Sequence, residues 1–372
     1  MTAIINEPHS YASLSGLPEV DIPDNLNLAL AAGRSVVSLL REIIALWWGP
    51  GKLSPQEYFY YRLWDPGVPL AEKLRFVGKK AQSEMHLACN SQYWYGAAAD
   101  KILFHMIMKG ASLPVPDLIA VAAAGRSVPG IPNLVEPSLV AALLRRPELY
   151  PLFMKEVGGK YSLSVVSADS YDETHDEVVL LDGTRHSPDA LASTLTSPGG
   201  YLVQRRLCQA PALAELFGPR LWSVRLLVLR GAAGPVIHSA VAKIATGSNP
   251  ADNYWRPGNM LGAIALESGT IWRVVSGTGA GLSINPSHPD TRRAFLEIEI
   301  PGWAKIKELV LAAAPIFAGI RTQSWDVALT EAGPVFLEVN FGGDLNLAQM
   351  ASGKGVLDDE YRVYLKGCGM EV

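Results

Sequence analysis

Two short runs near the C-terminus constrain this chain more than any other part of it. Ser324-Trp325-Asp326-Val327-Ala328-Leu329 and Val335-Phe336-Leu337-Glu338-Val339-Asn340 each alternate in character, and Thr330-Glu331-Ala332-Gly333-Pro334 joins them. Period-two alternation broken by a glycine-proline turn predicts a β-hairpin. If Thr330 pairs with Pro334 around a three-residue loop, Val327 faces Leu337, Leu329 faces Val335, and Asp326 falls directly opposite Glu338, with Asn340 on the same face. Like charges opposite one another destabilise a sheet by about 0.2–1 kcal/mol. Two facing carboxylates beside an amide oxygen therefore ask for a cation. Mg2+ is the natural one, since it takes one or two carboxylates and completes its shell with water and phosphate oxygens. The alternative is that the two acids point into solvent or pair separately with Lys or Arg.

Composition narrows what such a hairpin can serve. A chain of 372 residues, 49% of them hydrophobic, suggests two or three packed lobes. With 32 Lys and Arg against 36 Asp and Glu, the formal charge of −4 leaves no basic stripe, so no nucleic-acid partner is expected. Cys89, Cys208 and Cys368 lie far apart without a C-x-x-C, which reads as neither a disulfide framework nor a thiolate zinc site and points to the cytoplasm. Met1 to Asn25 lacks the basic and apolar stretches of an export signal. Val36 to Trp48 is interrupted by Arg41 and Glu42 and falls well short of the ~20 apolar residues of a transmembrane span.

The N-terminal third reads as mostly helical. Val36, Leu40, Ile43, Ile44 and Trp47 recur at helical spacing up to Gly49-Pro50-Gly51, an apolar stripe expected to pack into the core. Ser54-Pro55-Gln56-Glu57 is a capping box with proline at the first helical position, opening a helix through Tyr58, Phe59, Tyr60, Tyr61 and Trp64 whose aromatic residues pack inside. A third helix is expected from about Ala98 to Lys109, stopped at Gly110. Leu118 to Ala124 reads as a strand between proline-rich loops, and Ser138 to Arg146 as a helix. Strands follow at Leu152 to Val157, Ser162 to Ser167, Glu177 to Leu181, Tyr201 to Arg206, Ser223 to Leu229 and Val236 to Ala245, an interleaving that predicts an α+β fold.

Several chemistries find no support. Gly159-Lys160 and Gly51-Lys52 lack the upstream glycine of a phosphate loop, and there is no H-E-x-x-H or G-x-S-x-G. Gly277-Thr278-Gly279-Ala280-Gly281 imitates a dinucleotide fingerprint but lacks its third glycine, and reads as a loop. Two weaker features remain. Phe153-Met154-Lys155-Glu156-Val157-Gly158-Gly159-Lys160-Tyr161-Ser162 is a strand, a glycine turn and another strand, in which backbone N–H groups and Lys155 can approach phosphate. Leu202-Val203-Gln204-Arg205-Arg206 is a short strand whose backbone can read a base edge, though each segment alone is also an ordinary hairpin or strand.

Taken in order, these pieces resemble the ATP-grasp superfamily, and within it the sugar-transfer-associated ATP-grasp family. Lysine with a glycine loop, a base-reading strand, an S-x-R strand, a D-N loop with glycines, and W-D followed by E-V-N run in the family's order from about Asp100 to Gln349. The resemblance implies an ATP-grasp fold, two α+β lobes clasping ATP with Mg2+ on its phosphates, preceded by a helical region. It implies Asp326, Glu338 and Asn340 as metal ligands. Lys155 would meet the α- and β-phosphates under a flap carrying Gly158 and Gly159, and Lys101 would be an earlier phosphate-side lysine. Gln204, Arg205 and Leu207 would line the base pocket, with Gln209 near the ribose. Arg225 would face the transferring phosphoryl group, with Lys243 and Asn253 following. The sequence departs from the family at Trp222-Ser223, where a small polar pair is common, and at Lys243, where arginine is common; lysine keeps the charge but cannot bind bidentately.

The expected division is 1–98 helical, 99–150 a leading segment, 151–207 a small lobe with the flap, and 208–372 a large lobe with the metal site. The activity implied is an ATP-dependent, ADP-forming ligase joining a carboxylate to an amine through an acyl phosphate, with a role in glycan or secondary-metabolite biosynthesis and a homodimer left open. Phosphoryl transfer to a sugar or other hydroxyl, or nucleotide binding without catalysis, are the alternatives. Tyr254, Trp255, Arg256 and Asn346 are candidates for the acceptor pocket.

Overall fold

The computed structural model describes residues 20–159, 164–196, 198–341 and 343–372. Met1 to Glu19 of the export-signal reading, and Lys160 to Ser162 of the glycine feature, lie outside the described residues. Two antiparallel sheets organise the chain. The first, of six strands, comprises β1 (Leu118–Ala122), β2 (Leu152–Glu156), β3 (Val165–Asp172), β4 (Glu177–Leu180), β5 (Arg185–His186) and β6 (Tyr201–Arg205), in the order β1-β6-β2-β3-β4-β5. The second, of seven, comprises β7 (Ser223–Gly231), β8 (Gly234–Ile244), β9 (Met260–Ile264), β10 (Ile271–Ser276), β11 (Ser283–Ile284), β12 (Thr322–Thr330) and β13 (Gly333–Phe341), in the order β11-β10-β9-β8-β7-β12-β13. The expected strand at Ser162 to Ser167 instead begins at Val165 and runs on to Asp172. Strands β9, β10 and β11 have no counterpart in the sequence reading.

Alternation along the strands gives each sheet one apolar and one polar face. In the first sheet, Met154, Val166, Val178 and Val203 pack beneath the helices Pro137–Leu144 and Pro188–Leu195. Phe153, Lys155, Ser167 and Gln204 therefore fall on the opposite face. In the second sheet, Val224, Leu226, Ala242, Trp325 and Val327 pack with Trp303, Ile306 and Val310 of the helix Trp303–Ala313. Their neighbours Arg225, Lys243 and Asp326 turn the other way. The two polar faces look into one cavity.

The hairpin forms with a correction near its turn. Thr330 pairs with Gly333 around Glu331-Ala332, so Leu329 faces Pro334 and Val327 faces Phe336, one residue tighter than the three-residue loop predicts. A bulge between Asp326 and Val327 absorbs the difference, and beyond it Asp326 pairs with Glu338 as expected. A bulge admits one extra residue on one strand and sharpens its twist. Here that residue is Leu337, and the register slip falls between the turn and the carboxylates.

The N-terminal helices form as expected in outline. Ser54 accepts from the Glu57 N–H, Glu57 caps back onto Ser54, and Pro55–Tyr60 follow as helix; the run ends earlier than Trp64 because Arg62 takes a left-handed φ of 54°. Tyr58, Tyr60 and Trp64 are buried with Val241, Leu261 and Val275, which covers the β8 to β11 half of the second sheet. The helix Val36–Trp48 departs from expectation. Only Leu39 and Leu46 are buried, while Val36, Leu40, Ile44 and Trp47 are exposed, and Trp48 is 83% exposed. The face that meets the core is 39/46, with Ile43 half-buried. None of the described helices is long and apolar enough to cross a membrane.

Candidate active site between the two sheets

A cavity of about 830 Å³ lies between the polar faces, and every candidate for the nucleotide, the metal and the reacting centre lines it. Lys155, Gln204, Arg205 and Leu207 come from the first sheet and its exit. Lys101 opens the helix Lys101–Gly110, capped by Asp100, whose carboxylate accepts from the Ile102 and Leu103 N–H groups. Arg225, Lys243, Asp326, Glu338 and Asn340 come from four adjacent strands of the second sheet.

The centre of the cavity is a row across three strands. Arg225 pairs with Asp326 across β7 and β12, and Asp326 with Glu338 across β12 and β13. Nε and Nη2 of Arg225 donate to Oδ1 and Oδ2 of Asp326 at 2.6 and 2.7 Å, a bidentate fork. Nζ of Lys243 donates to Oδ2 of Asp326 at 2.8 Å and to Oδ1 of Asp252 at 3.2 Å, and the Ser223 hydroxyl donates to the other Asp252 oxygen. Burial works to raise the Asp326 carboxyl, but Arg225 and Lys243 hold it well below the usual carboxylate range. The cation that the facing acids ask for is thus supplied in this arrangement by Arg225, 3.7 Å from Oε1 of Glu338. Glu338 keeps one hydrogen bond, from Nδ2 of Asn340 at 3.2 Å, and remains 32% exposed.

Two lysines face this row from the other side. Nζ of Lys155 reaches the carbonyl of Leu337, the bulge residue, at 3.5 Å. Burial and the neighbouring Lys101 bring the Lys155 ammonium down to about 8, against the pull of Glu338 and Asp326. Lys101 donates to the carbonyl of Gly159 at 2.5 Å, tying the glycine flap to the helix Lys101–Gly110.

Gln209 has the clearest unsatisfied demand. It is 5% exposed, and its Oε1 accepts from the Trp222 N–H at 3.0 Å, which fixes the amide orientation. Its Nε2 is buried in the cavity wall with no partner, a donor that a bound acceptor atom would satisfy. Asn253 instead shapes its loop, accepting from the Trp255 N–H at 3.0 Å through Oδ1 and from Nδ2 of Asn259 at 2.8 Å through its carbonyl. Of the acceptor-pocket candidates, Tyr254 and Trp255 line the cavity, whereas Arg256 and Asn346 are buried outside its wall.

Sequence reasoning missed four participants. Asp252 steadies Lys243. Asp344 pairs with Lys79 at 2.5 Å and lies 3.9 Å from Nη1 of Arg225. His86, on the helix Lys79–Cys89, joins the wall from the N-terminal region. The signal for Asp344 was Gly343, which takes a φ of 63° where a Cβ would collide with the Ser324 hydroxyl. Lys79 and His86 carried no local signal, because their approach depends on the packing of a distant helix. Among the described residues, no three His, Cys, Asp or Glu side chains stand grouped to hold a metal. The oxygen set Asp326, Glu338 and Asn340 suits a hard ion that also takes phosphate oxygens, provided Asp326 gives up one of its cations.

No curated protein matches the chain. Among solved structures, it is similar to a biotin carboxylase from Campylobacter jejuni, at 11% identity and a TM-score of 0.44, covering 77% of this chain and 49% of that one. It is also similar to a D-alanine–D-alanine ligase from Bacillus anthracis, solved with ATP, at 12% identity and a TM-score of 0.40, covering 75% and 70%. A phosphoribosylamine–glycine ligase from Thermotoga maritima follows at 12% and 0.44, covering 76% and 57%. The chain thus spans about half the length of the biotin carboxylase. Residues 80–363, most of the chain, match the sugar-transfer associated ATP-grasp family, and the protein, with its two sheets closing on one cavity, belongs to that family.

Proposed function

We propose that the protein is an ATP-dependent, ADP-forming ligase that joins a carboxylate to an amine through an acyl phosphate, in the assembly of a glycan or a secondary metabolite. The observation that carries this reading is the row Arg225, Asp326, Glu338 facing Lys155 and Lys101 across one cavity. It sets oxygen ligands and phosphate-neutralising cations on opposite walls, as transfer of a phosphoryl group between them requires.

In this reading Gln204, Arg205, Leu207 and Gln209 hold the base and ribose, and Lys155, Lys101 and the Gly158-Gly159 flap hold the phosphates. Asp326, Glu338 and Asn340 would hold Mg2+, which when bound neutralises phosphate charge and polarises the transferring group. Phosphates entering the cavity compete for Arg225 and Lys243, which frees the Asp326 oxygens those two now occupy. Arg225 then faces the transferring phosphoryl group, and Arg225 with Lys243 stabilises negative charge as the tetrahedral intermediate forms. Asn253 positions the loop Asp252 to Trp255 over this centre. The residues before about Ala98 form a region of their own that lends the cavity one helix, ahead of the leading segment, the small lobe and the large lobe.

The test is a screen of amino acids, carboxylated sugars and small peptides, singly and in pairs, for ADP release, with product analysis. ADP, free phosphate and an amide support the ligase. A phosphoester in place of the amide would mean a kinase, and ATP binding without turnover on any pair would mean a non-catalytic nucleotide-binding protein.

A further inference from the structure

The cavity continues past the carboxylate row, away from β6. One end of the β12–β13 hairpin, its turn at Thr330, lies beside Gln209; the other leads from β13 through Gly343 to Asp344. There the wall consists of Gln82 and His86, one turn apart on the helix Lys79–Cys89, with Asp344 and Leu347. The acids around this end are engaged. Asp344 holds Lys79 at 2.5 Å, and Asp326 holds Arg225 and Lys243. Gln82 is engaged too, its Oε1 accepting from the Leu345 N–H at 3.1 Å.

His86 differs from all of these. Its Nε2 is shielded from solvent and has no hydrogen-bond partner, although the residue lines the cavity. The charged groups facing it are Lys79, from its own helix, and Asp344, from the segment after β13. Burial and Lys79 bring the imidazole down to about 4 against the pull of Asp344, so it stands neutral. A neutral imidazole always keeps one nitrogen as an acceptor.

Resting on the ligase reading above, we propose that His86 is the base of the second half-reaction, taking the proton from the amine nitrogen as that nitrogen attacks the acyl carbon. The amine lone pair forms the C–N bond. The C–O bond to phosphate breaks with its electrons leaving on phosphate, and the N–H proton goes to His86. Phosphate charge in the filled cavity raises the imidazole toward the working range, where a base is most effective. The amine would thus enter from the N-terminal helix side, opposite the base pocket.

The experiment compares two nucleophiles in the wild type, His86→Ala and His86→Gln, across the same carboxylate panel. Hydroxylamine, largely unprotonated near neutrality, traps an acyl phosphate as a hydroxamate without help from a base. Methylamine is protonated there and must lose a proton. Loss of the base should lower the ratio of methylamide to hydroxamate by about 100-fold or more in both variants. Added imidazole should restore the ratio in His86→Ala. His86 variants that make hydroxamate with the wild-type ratio, or lose both products in parallel without rescue, overturn the inference and leave the ligase standing. A wild type that makes no hydroxamate on any carboxylate of the panel overturns the ligase and the base together.

Discussion

Asp326 and Glu338 stand directly opposite each other on neighbouring strands, yet they live in opposite environments. Asp326 is 2% exposed and bonded to Arg225 and Lys243, whereas Glu338 is half-buried with one hydrogen bond from Asn340. A single cross-strand pair in the sheet thus sets an acid that holds the site together beside an acid that is spare for a ligand.

That difference predicts opposite outcomes for the two alanine variants. Removing Glu338 breaks two loose, partly exposed contacts, to Asn340 at 3.2 Å and Arg225 at 3.7 Å, worth about 1 kcal/mol or less. Glu338→Ala should therefore fold normally and lose ATP-dependent ADP production; full turnover in this variant would sink the metal assignment. Removing Asp326 takes the main counter-ion from two buried cations, at a cost of about 3–5 kcal/mol. Asp326→Ala should shift the urea midpoint strongly, and Lys243→Met on top of it should recover part of the loss. Chemical denaturation of the four proteins checks the order.

Lys155 makes stability and binding depend on pH in a stated direction. Its ammonium, about 8 in the folded protein against 10.5 for a free lysine, is easier to deprotonate when folded. Between these values the unfolded chain binds more protons, so stability rises with pH across that window. Lys155→Met should be more stable than wild type at neutrality, and the difference should shrink as pH approaches the free-lysine value. Nucleotide phosphates favour the charged ammonium, so binding of ADP near pH 8 should take up protons in the wild type but not in Lys155→Met. Calorimetry in buffers of different ionisation enthalpy measures that uptake.

Gln209 offers a substitution that separates folding from binding. Its Oε1 satisfies the Trp222 N–H, and its Nε2 has no protein partner. Gln209→Glu keeps an oxygen for Trp222 and replaces the free donor by a second oxygen. It should fold, and it should bind ATP about tenfold more weakly, the scale of one hydrogen bond. Gln209→Ala should lose the same affinity and also some stability, because the buried Trp222 N–H is then left unpaired. An affinity for ATP unchanged in Gln209→Glu would remove Gln209 from the nucleotide site.

The hairpin was legible because period-two alternation survives a bulge: the slip at Leu337 displaced Val327 and Leu329 by one partner yet returned Asp326 to Glu338. The capping box at Ser54 was legible because its signal is local. What pairs with Asp326 was not, since the row depends on Arg225 and Lys243 arriving from strands 101 and 83 residues away in sequence. Lys79 and His86 were missed for the same reason, since the helix that carries them reaches the site only through long-range packing. Strand β9 was missed because all five of its residues are buried, which leaves no alternation, and β11 because it is only two residues long.

The helix Val36–Trp48 gives the last prediction, since its sequence admits two apolar faces and only one meets the core. Leu39 and Leu46 are 2% and 1% exposed, whereas Leu40 and Ile44 are 53% and 58% exposed. Leu39→Ala and Leu46→Ala should each cost about 2–5 kcal/mol, the range for a buried leucine whose cavity does not collapse. Leu40→Ser and Ile44→Ser should stay within about 0.5 kcal/mol, as surface changes do. Thermal unfolding of the four variants measures the contrast directly. Comparable destabilisation at Leu40 and Ile44 would show that the stripe read from helical spacing is buried in solution after all.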